Sequence, residues 1–540
     1  MSDITNQILE SEADGGDKKA EDSVTSLALP SLHGDYELTT IRVQEQDGSQ
    51  KPRSSTSKQL TLSSSRTDIL VVDWDGPNDP LNPKNWSLRR KWTVTIIVSA
   101  FAFISPISSA MAAPATGQVA ATFGINNNVI LALTTSIFVL AYVIGPFFAS
   151  PMSEIYGRSR VLILGNLWFL AWNLGCGFAR TEYQLLAFRF LAGLGGSAPS
   201  TVGAGVLGDC WRAEERGKAI VLYSLAPLLG PVLGPITGAW IAERSTWRWV
   251  FWSTSIVDAV VQILGMFLLQ ETYAPLLLER KAQRMRTSAD AERAPYREIR
   301  TVFEGEHRSW QAIMSKALRR PFALLFREPI VQLLGVYMAY IYGIFYLFLT
   351  TIPSIFQGVY QQPVGISGLH YISLGIGLTV GSQLNARAMD RIYVRLKSKN
   401  GGVGKPEFRL PAMFPATLLL PIGCLIAGWS AQAHTHWIIP DIGIALVGSG
   451  IILNFQCIQL YIVDGFTLHA ASALAAVSFL RSLSGFAFPL FAPAMYIALG
   501  FGKGDTVLAV AAIVIGCPAP WIFWHYGERI RKSSPYAQSR

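Results

Sequence analysis

Charge is scarce in this chain. Of its 540 residues only 15% are Asp, Glu, Lys or Arg, where water-soluble domains carry about 25%. A hydrated surface over most of its length is therefore excluded. Cysteine is scarce too, with five residues at positions 176, 210, 424, 457 and 517 and no C-x-x-C pair. That excludes a disulfide framework and a cysteine-ligated zinc site. Seven scattered histidines make no metal cluster. The chain has no G-x-x-x-x-G-K-[ST] phosphate loop, no H-E-x-x-H and no nucleophile elbow, so nothing supports nucleotide hydrolysis or another enzymatic reaction. No metal or cofactor is expected. Residues 1–91 are polar and contain no signal-peptide core.

Apolar residues make up 50% of the chain. A spanning helix needs about 20 of them in succession. Twelve stretches qualify: 92–112, 129–150, 160–178, 184–206, 218–241, 248–269, 329–353, 366–386, 410–429, 438–461, 468–496 and 505–526. They divide the chain into a polar tail (1–91), a first bundle (92–269), a connecting loop (270–328), a second bundle (329–526) and a tail (527–540). Two halves of similar length suggest a duplicated six-helix unit. The net charge of +9 lies in loops between apolar runs, which argues against nucleic acid as a partner. The connecting loop holds twelve basic residues and loop 387–409 holds seven. By the positive-inside rule these loops and both termini are cytosolic. Within the connecting loop, 276–286 reads equally well as a basic surface helix or a solvated linker.

Ionisable groups inside spans cost about 2.5–3.5 kcal/mol on insertion scales, so each needs a reason. Arg189 opens a stripe of small residues in span four and is a candidate for proton coupling or a substrate site. Asp258 in span six is a candidate proton carrier, with a hydrogen-bonded structural acid as the alternative. Arg481 reads as a packing arginine. Span seven is rich in aromatics, and Tyr337, Tyr340 and Phe348 share one face that suits a bulky apolar ligand. Asn454, Gln456 and Gln459 in span ten can bond a ligand or join helices. Glu154, Gly157 and Arg158 after span two suit a charge-linked gate. Span five carries Gly230-Pro231, Gly234-Pro235 and Gly238. The glycines at i, i+4 and i+8 leave one helix face bare for close approach, and the prolines should bend the helix.

Together these motifs resemble the major facilitator superfamily, and within it the fungal twelve-span drug:proton antiporters. The resemblance covers roughly 73–530. Gly157 and Arg158 match the superfamily's loop signature, with Glu154 in place of its Asp. Arg189, Gly193 and Gly195 match R-x-x-x-G-x-G. Gly230 to Gly238 match G-P-x-x-G-P-x-x-G, the antiporter signature. Glu271-Thr272-Tyr273-Ala274-Pro275 and Asp73-Trp74-Asp75 with Asn82-Pro83 and Asn85-Trp86 look like the fungal branch. The resemblance implies an all-α membrane protein with two pseudo-twofold-related bundles and a cavity lined by spans one, four, seven and ten. It implies proton-coupled export of bulky amphipathic or cationic organic compounds by a monomer in the plasma membrane, with the vacuolar membrane as the alternative. It implicates Arg189 in proton coupling and places Asp258 at the periphery. An uptake symporter of the same fold and a non-transporting sensor are the rival readings.

Overall fold

The computed structural model describes residues 69–212, 215–287, 298–303, 310–466 and 470–532. Of the tail expected over 1–91, residues 1–68 lie outside the described residues. The first half contains α1 (Leu88–Met111), α2 (Thr116–Phe123), α3 (Asn128–Tyr156), α4 (Arg158–Gly177), α5 (Glu182–Cys210), α6 (Arg216–Arg244) and α7 (Arg248–Leu268). The connection holds α8 (Ala274–Thr287) and α9 (Trp310–Arg327). The second half contains α10 (Pro329–Pro353), α11 (Val364–Leu369), α12 (Tyr371–Lys399), α13 (Met413–Gln432), α14 (Ile438–Gly465), α15 (Ala470–Gly516) and α16 (Pro518–Lys532). One two-stranded sheet occurs among the described residues, where β1 (Ile69–Val72) pairs in parallel with β2 (Glu298–Thr301).

Local chemistry sets the helix ends. Asn127 caps α3 by accepting from the Val129 N–H at 2.8 Å, and Thr181 caps α5 by accepting from Gln184 N–H at 3.3 Å. Such caps satisfy donors that a helix start leaves orphaned. α15 is broken at Gly500, whose φ of 76° only glycine adopts easily. Its two limbs are the eleventh span and the start of the twelfth.

Ten helical stretches among the described residues are long and apolar enough to cross a membrane. One of them, 472–532, contains both limbs of α15. α4 is not among them; it carries Arg158 and Arg160 at its start and Asn166 and Asn173 along its length. Both asparagines are fully buried against α7, so α4 is polar towards its own bundle and apolar outside, with Leu164 and Trp168 exposed. α7 shows the same inversion. Asp258 and Gln262 are buried while Ile256, Val260, Ile263 and Phe267 are exposed, the pattern of a helix whose surroundings are apolar.

Within the first half α1 packs on α5, α6 and α7, and α5 packs on α3 and α4. In the second half α10 packs on α15, and α14 on α12 and α13. The halves meet where α3 lies against α15 and where α6 lies against α11 and α12. Val139 of α3 and Val232 of α6 join the apolar core of the second half. α9, unforeseen from the sequence, fills the join: its Phe322 stacks on Phe147 of α3 at 5.2 Å and meets Phe479 of α15 at 5.3 Å.

The segment 276–286 does form a helix, α8, packed on the chain through buried Leu278 and Ala282. Its Lys281 pairs with Asp75 at 2.6 Å and donates to the Asp73 carbonyl at 2.8 Å. The Asp-Trp-Asp segment is thereby tied to the connecting loop. α16 runs on to Lys532, past the boundary expected at 526.

Candidate functional site

Arg189 is completely buried, yet no acidic group pairs with it among the described residues. Its Nη1 donates to the Ser108 carbonyl and one Nη2 hydrogen to the Ser109 carbonyl, each at 3.0 Å. Nε donates to the Thr134 carbonyl at 3.0 Å, and Nη2 also reaches the Thr135 carbonyl at 3.3 Å. Ser108 and Ser109 belong to the last turn of α1, where carbonyls have no intrahelical donor. The guanidinium thus caps α1 and neutralises the negative end of its dipole. Phe138 and Phe251 cover it at 5.0 and 5.5 Å.

The glycines of α6 press on that same end of α1 from the other side. A Cβ on Gly230 would come within 2.7 Å of the Pro106 side chain, and one on Gly234 within 2.6 Å of the Ile107 carbonyl oxygen. A Cβ on Gly238 would collide with the Met111 carbonyl. Real Cβ atoms do not approach backbone so closely, so only glycine permits this contact. α6 stays helical through Pro231 and Pro235. The span-four arginine and the span-five glycines, read separately in the sequence, grip one helix end between them.

Asp258 lies away from the join between the halves. Its Oδ1 accepts from Asn166 Nδ2 at 2.9 Å, and the same amide donates to Gln262 Oε1 at 2.9 Å. Asp258 Oδ2 is buried without a partner. About one turn along α7 from Asp258, Thr254 and Ser255 accept from Asn173 Nδ2 at 3.0 and 2.9 Å, and Ser108 Oγ donates to Asn173 Oδ1 at 2.6 Å. Since the Ser108 carbonyl holds Arg189, a ladder of polar groups runs from the arginine to within one turn of Asp258.

The loop between α3 and α4 carries more acid than the motif match implies, from outside the motif. Arg158 Nε reaches Asp209 Oδ2 at 3.4 Å, its Nη1 donates to Ser153 Oγ at 2.7 Å, and it lies 4.8 Å from the Tyr273 ring. Glu271 Oε1 accepts from the backbone N–H of Arg158 at 2.9 Å and of Thr272 and Tyr273 at 3.0 Å. Gly157 has φ of 100°, and a Cβ there would strike the Glu271 carboxylate. Glu154 makes no ion pair or hydrogen bond among the described residues. The acids that hold this gate-like loop are Asp209 and Glu271. The only trace of Glu271 in the sequence was its place in the Glu-Thr-Tyr-Ala-Pro motif. In the second half Arg409 pairs with Asp464 at 3.0 Å, and Arg531 with Glu407 at 3.2 Å.

The residues expected to line a ligand wall separate. Tyr337 is 1% exposed and points at Gly516. Tyr340 donates to the Leu508 carbonyl, and its ring lies 6.1 Å from Phe488. Both therefore turn into α15, inside the second half, and Phe348 is buried in the same core. Gln456 joins α14 to α12, accepting from Asn385 at 2.9 Å and donating to Ser382 at 2.7 Å. Asn454 is fully buried and donates to Gly450 of its own helix at 2.8 Å. Gln459 is half-buried one turn on.

Another face of α10 looks towards the first half. Tyr342 and Tyr346 lie 5.1 Å apart with their rings tilted by 50°, and the guanidinium of Arg481 lies 4.8 Å from Tyr342 and 5.5 Å from Phe455 of α14. Tyr346 approaches Ser109 and Tyr142 of the first half. Tyr142 itself bonds Ser105 Oγ at 2.6 Å and donates to the Gly196 carbonyl at 2.8 Å. This aromatic cluster, with Arg481, spans the join one helix contact from Arg189. A separate recess of about 430 Å³ beside Tyr393, Lys405 and Asp464 sits at the opposite, loop-bearing end of α14 and touches none of these groups.

A twelve-span helical fold with paired halves and a polar, aromatic join defines a membrane transporter. The chain belongs to the Major Facilitator Superfamily, whose family model matches residues 98–489. It is 48% identical over 470 residues to the efflux pump vrtL of Penicillium aethiopicum, covering 87% of this chain and 92% of that protein. It is 39% identical over 474 residues to the efflux pump radE of Floropilus chiversii, covering 86% and 85%. Among solved structures, the partially occluded, inward-open xylose transporter XylE from E. coli matches with a TM-score of 0.61 at 14% identity. It covers 81% of this chain and 98% of its own. That likeness concerns the fold.

Proposed function

We propose that this protein exports bulky organic compounds, of the drug, toxin or secondary-metabolite kind, in exchange for protons. It works as a monomer in the plasma membrane with both termini in the cytosol. The reading rests above all on the clasp around α1. Arg189 of α5 and the bare glycine face of α6 hold the same helix end, so a change at either partner must move or release α1. Alternating access needs such a joint between helices that shift as bodies. The efflux pumps among the relatives and the Gly-Pro repeat support outward transport.

In this mechanism Asp258 takes up the proton and Arg189 transmits the change. The path between them is the Asn173, Ser108, Thr254 and Ser255 ladder. Protonation of Asp258 alters how α7 holds α4 and, through Asn173, how α1 presents its carbonyls to Arg189. Cargo occupies the join lined by Tyr142, Tyr342 and Tyr346. The reading is tested by expressing the chain in a drug-sensitive fungal host and following retention of a fluorescent compound panel. Expression should lower retention of several members, and a protonophore should abolish the effect. Raised retention on expression would favour uptake.

A further inference from the structure

We propose that Arg481 sets the charge class of the cargo, and that the join receives a flat polycyclic anion whose carboxylate or ionised phenol seats on the Arg481 guanidinium. This rests on the efflux reading above and narrows its substrate.

The two arginines at the heart of the molecule differ in what they have left to bind. Arg189 has four of its five N–H donors committed to backbone carbonyls. Arg481 makes no hydrogen bond or ion pair among the described residues, and its Nε is sealed from solvent without a partner. The guanidinium therefore stands in the join without a matching charge. The side chains facing it are aromatic: Tyr342 on α10 and Phe455 on α14. Tyr142 on α3 lies within electrostatic range of both Tyr342 and Arg481. α10 contains no acidic residue along its whole length, and the acids of α14, Asp441 and Asp464, lie at its two ends. Asp505 belongs to the far limb of α15, where it accepts from Tyr496 at 2.6 Å. Glu154 sits at the loop end of α3.

A cationic cargo would therefore meet a like charge with no carboxylate to offset it. An anion would supply what Arg481 lacks. The planar guanidinium offers a bidentate fork to a carboxylate or paired phenolic oxygens. The Tyr342–Tyr346 pair, joined by Phe345 at 5.8 Å from Tyr342, offers flat faces for a ring system. The cargo chemistry is thus read from the arginine and from the lack, among the described residues, of an acid paired with it.

Fluorescein and rhodamine 123 test this directly, since they share a tricyclic frame and carry opposite charge. Transport of each is measured in proteoliposomes of the full chain. The wild type should show a KM for fluorescein about tenfold or more below that for rhodamine 123, the size of one charge-assisted contact. Arg481→Gln should raise the fluorescein KM by about tenfold to a hundredfold with kcat little changed, and erase the preference. Arg481→Lys should keep its sign with weaker binding. A merely structural arginine would lower stability or kcat for both dyes alike. Wild-type preference for rhodamine 123, or an unchanged preference in Arg481→Gln, overturns the proposal while leaving efflux intact. If neither dye moves, the efflux reading is what suffers. Fluorescein anisotropy with the solubilised protein then decides the site: binding that Arg481→Gln weakens upholds it, and no binding overturns it.

Discussion

At the scale of single residues, Arg189 and Asp258, two of the ionisable groups inside the spans, are held differently. Arg189 makes four bonds to carbonyls, so its positive charge is stabilised by the end of a helix rather than by an acid. Arg189→Lys retains the charge but loses the planar fork, and a single ammonium cannot reach carbonyls on two helices at once. It should reduce export by about tenfold or more, in keeping with the loss of at least one charge-assisted bond. Wild-type export with Arg189→Lys would remove the fork from the mechanism. Asp258 has one oxygen bonded and one buried without a partner. Asp258→Asn fills the same volume and keeps a carbonyl for Asn166, but it cannot take up a proton. It should abolish proton-driven accumulation while dye exchange down its own gradient continues, as counterflow in proteoliposomes would show. Intact coupling in that variant would rule out Asp258 as the proton carrier.

At the scale of elements, the α1–α6 contact is the joint on which the account depends. Its tolerance is measurable by a single methyl group. Gly234→Ala places a Cβ against the Ile107 carbonyl, and the backbone cannot give way as a flexible side chain can. Export should fall sharply, because α1 and α6 can no longer close. Gly117→Ala, in α2, meets nothing within 4 Å and should export normally. Equal export by the two variants would contradict the packing argument. The α3–α4 loop is a second such element. There Glu271 binds backbone N–H groups on both sides of the gap between α7 and α4, so the Glu-Thr-Tyr-Ala-Pro motif works as a clamp.

At the scale of the whole molecule, the spans were legible in the sequence because an apolar surrounding writes itself into hydropathy. α4 shows what hydropathy leaves out, since its Asn166 and Asn173 are spent on packing against α7. Faces were less legible than spans. α10 has aromatics all round, so periodicity alone could not tell the face on α15, with Tyr337 and Tyr340, from the face on the join, with Tyr342 and Tyr346. Partners distant in sequence were not legible at all. Asp209 and Glu271 meet Arg158 from two other helix ends, and Tyr142, Tyr342, Phe455 and Arg481 come from four helices. The Gly-Pro repeat was visible from the start, but its partner, the carbonyl end of α1, emerged only from the packing.

The central claim is exchange of cargo for protons in the outward direction. It is tested most directly in proteoliposomes of the full chain with an imposed proton gradient, by recording dye accumulation as the gradient is reversed. The account predicts accumulation into a lumen more acidic than the bath, collapse on adding a protonophore, and accumulation lowered by about tenfold or more with Arg189→Lys. Accumulation into an alkaline lumen instead, or accumulation indifferent to the gradient, would contradict it.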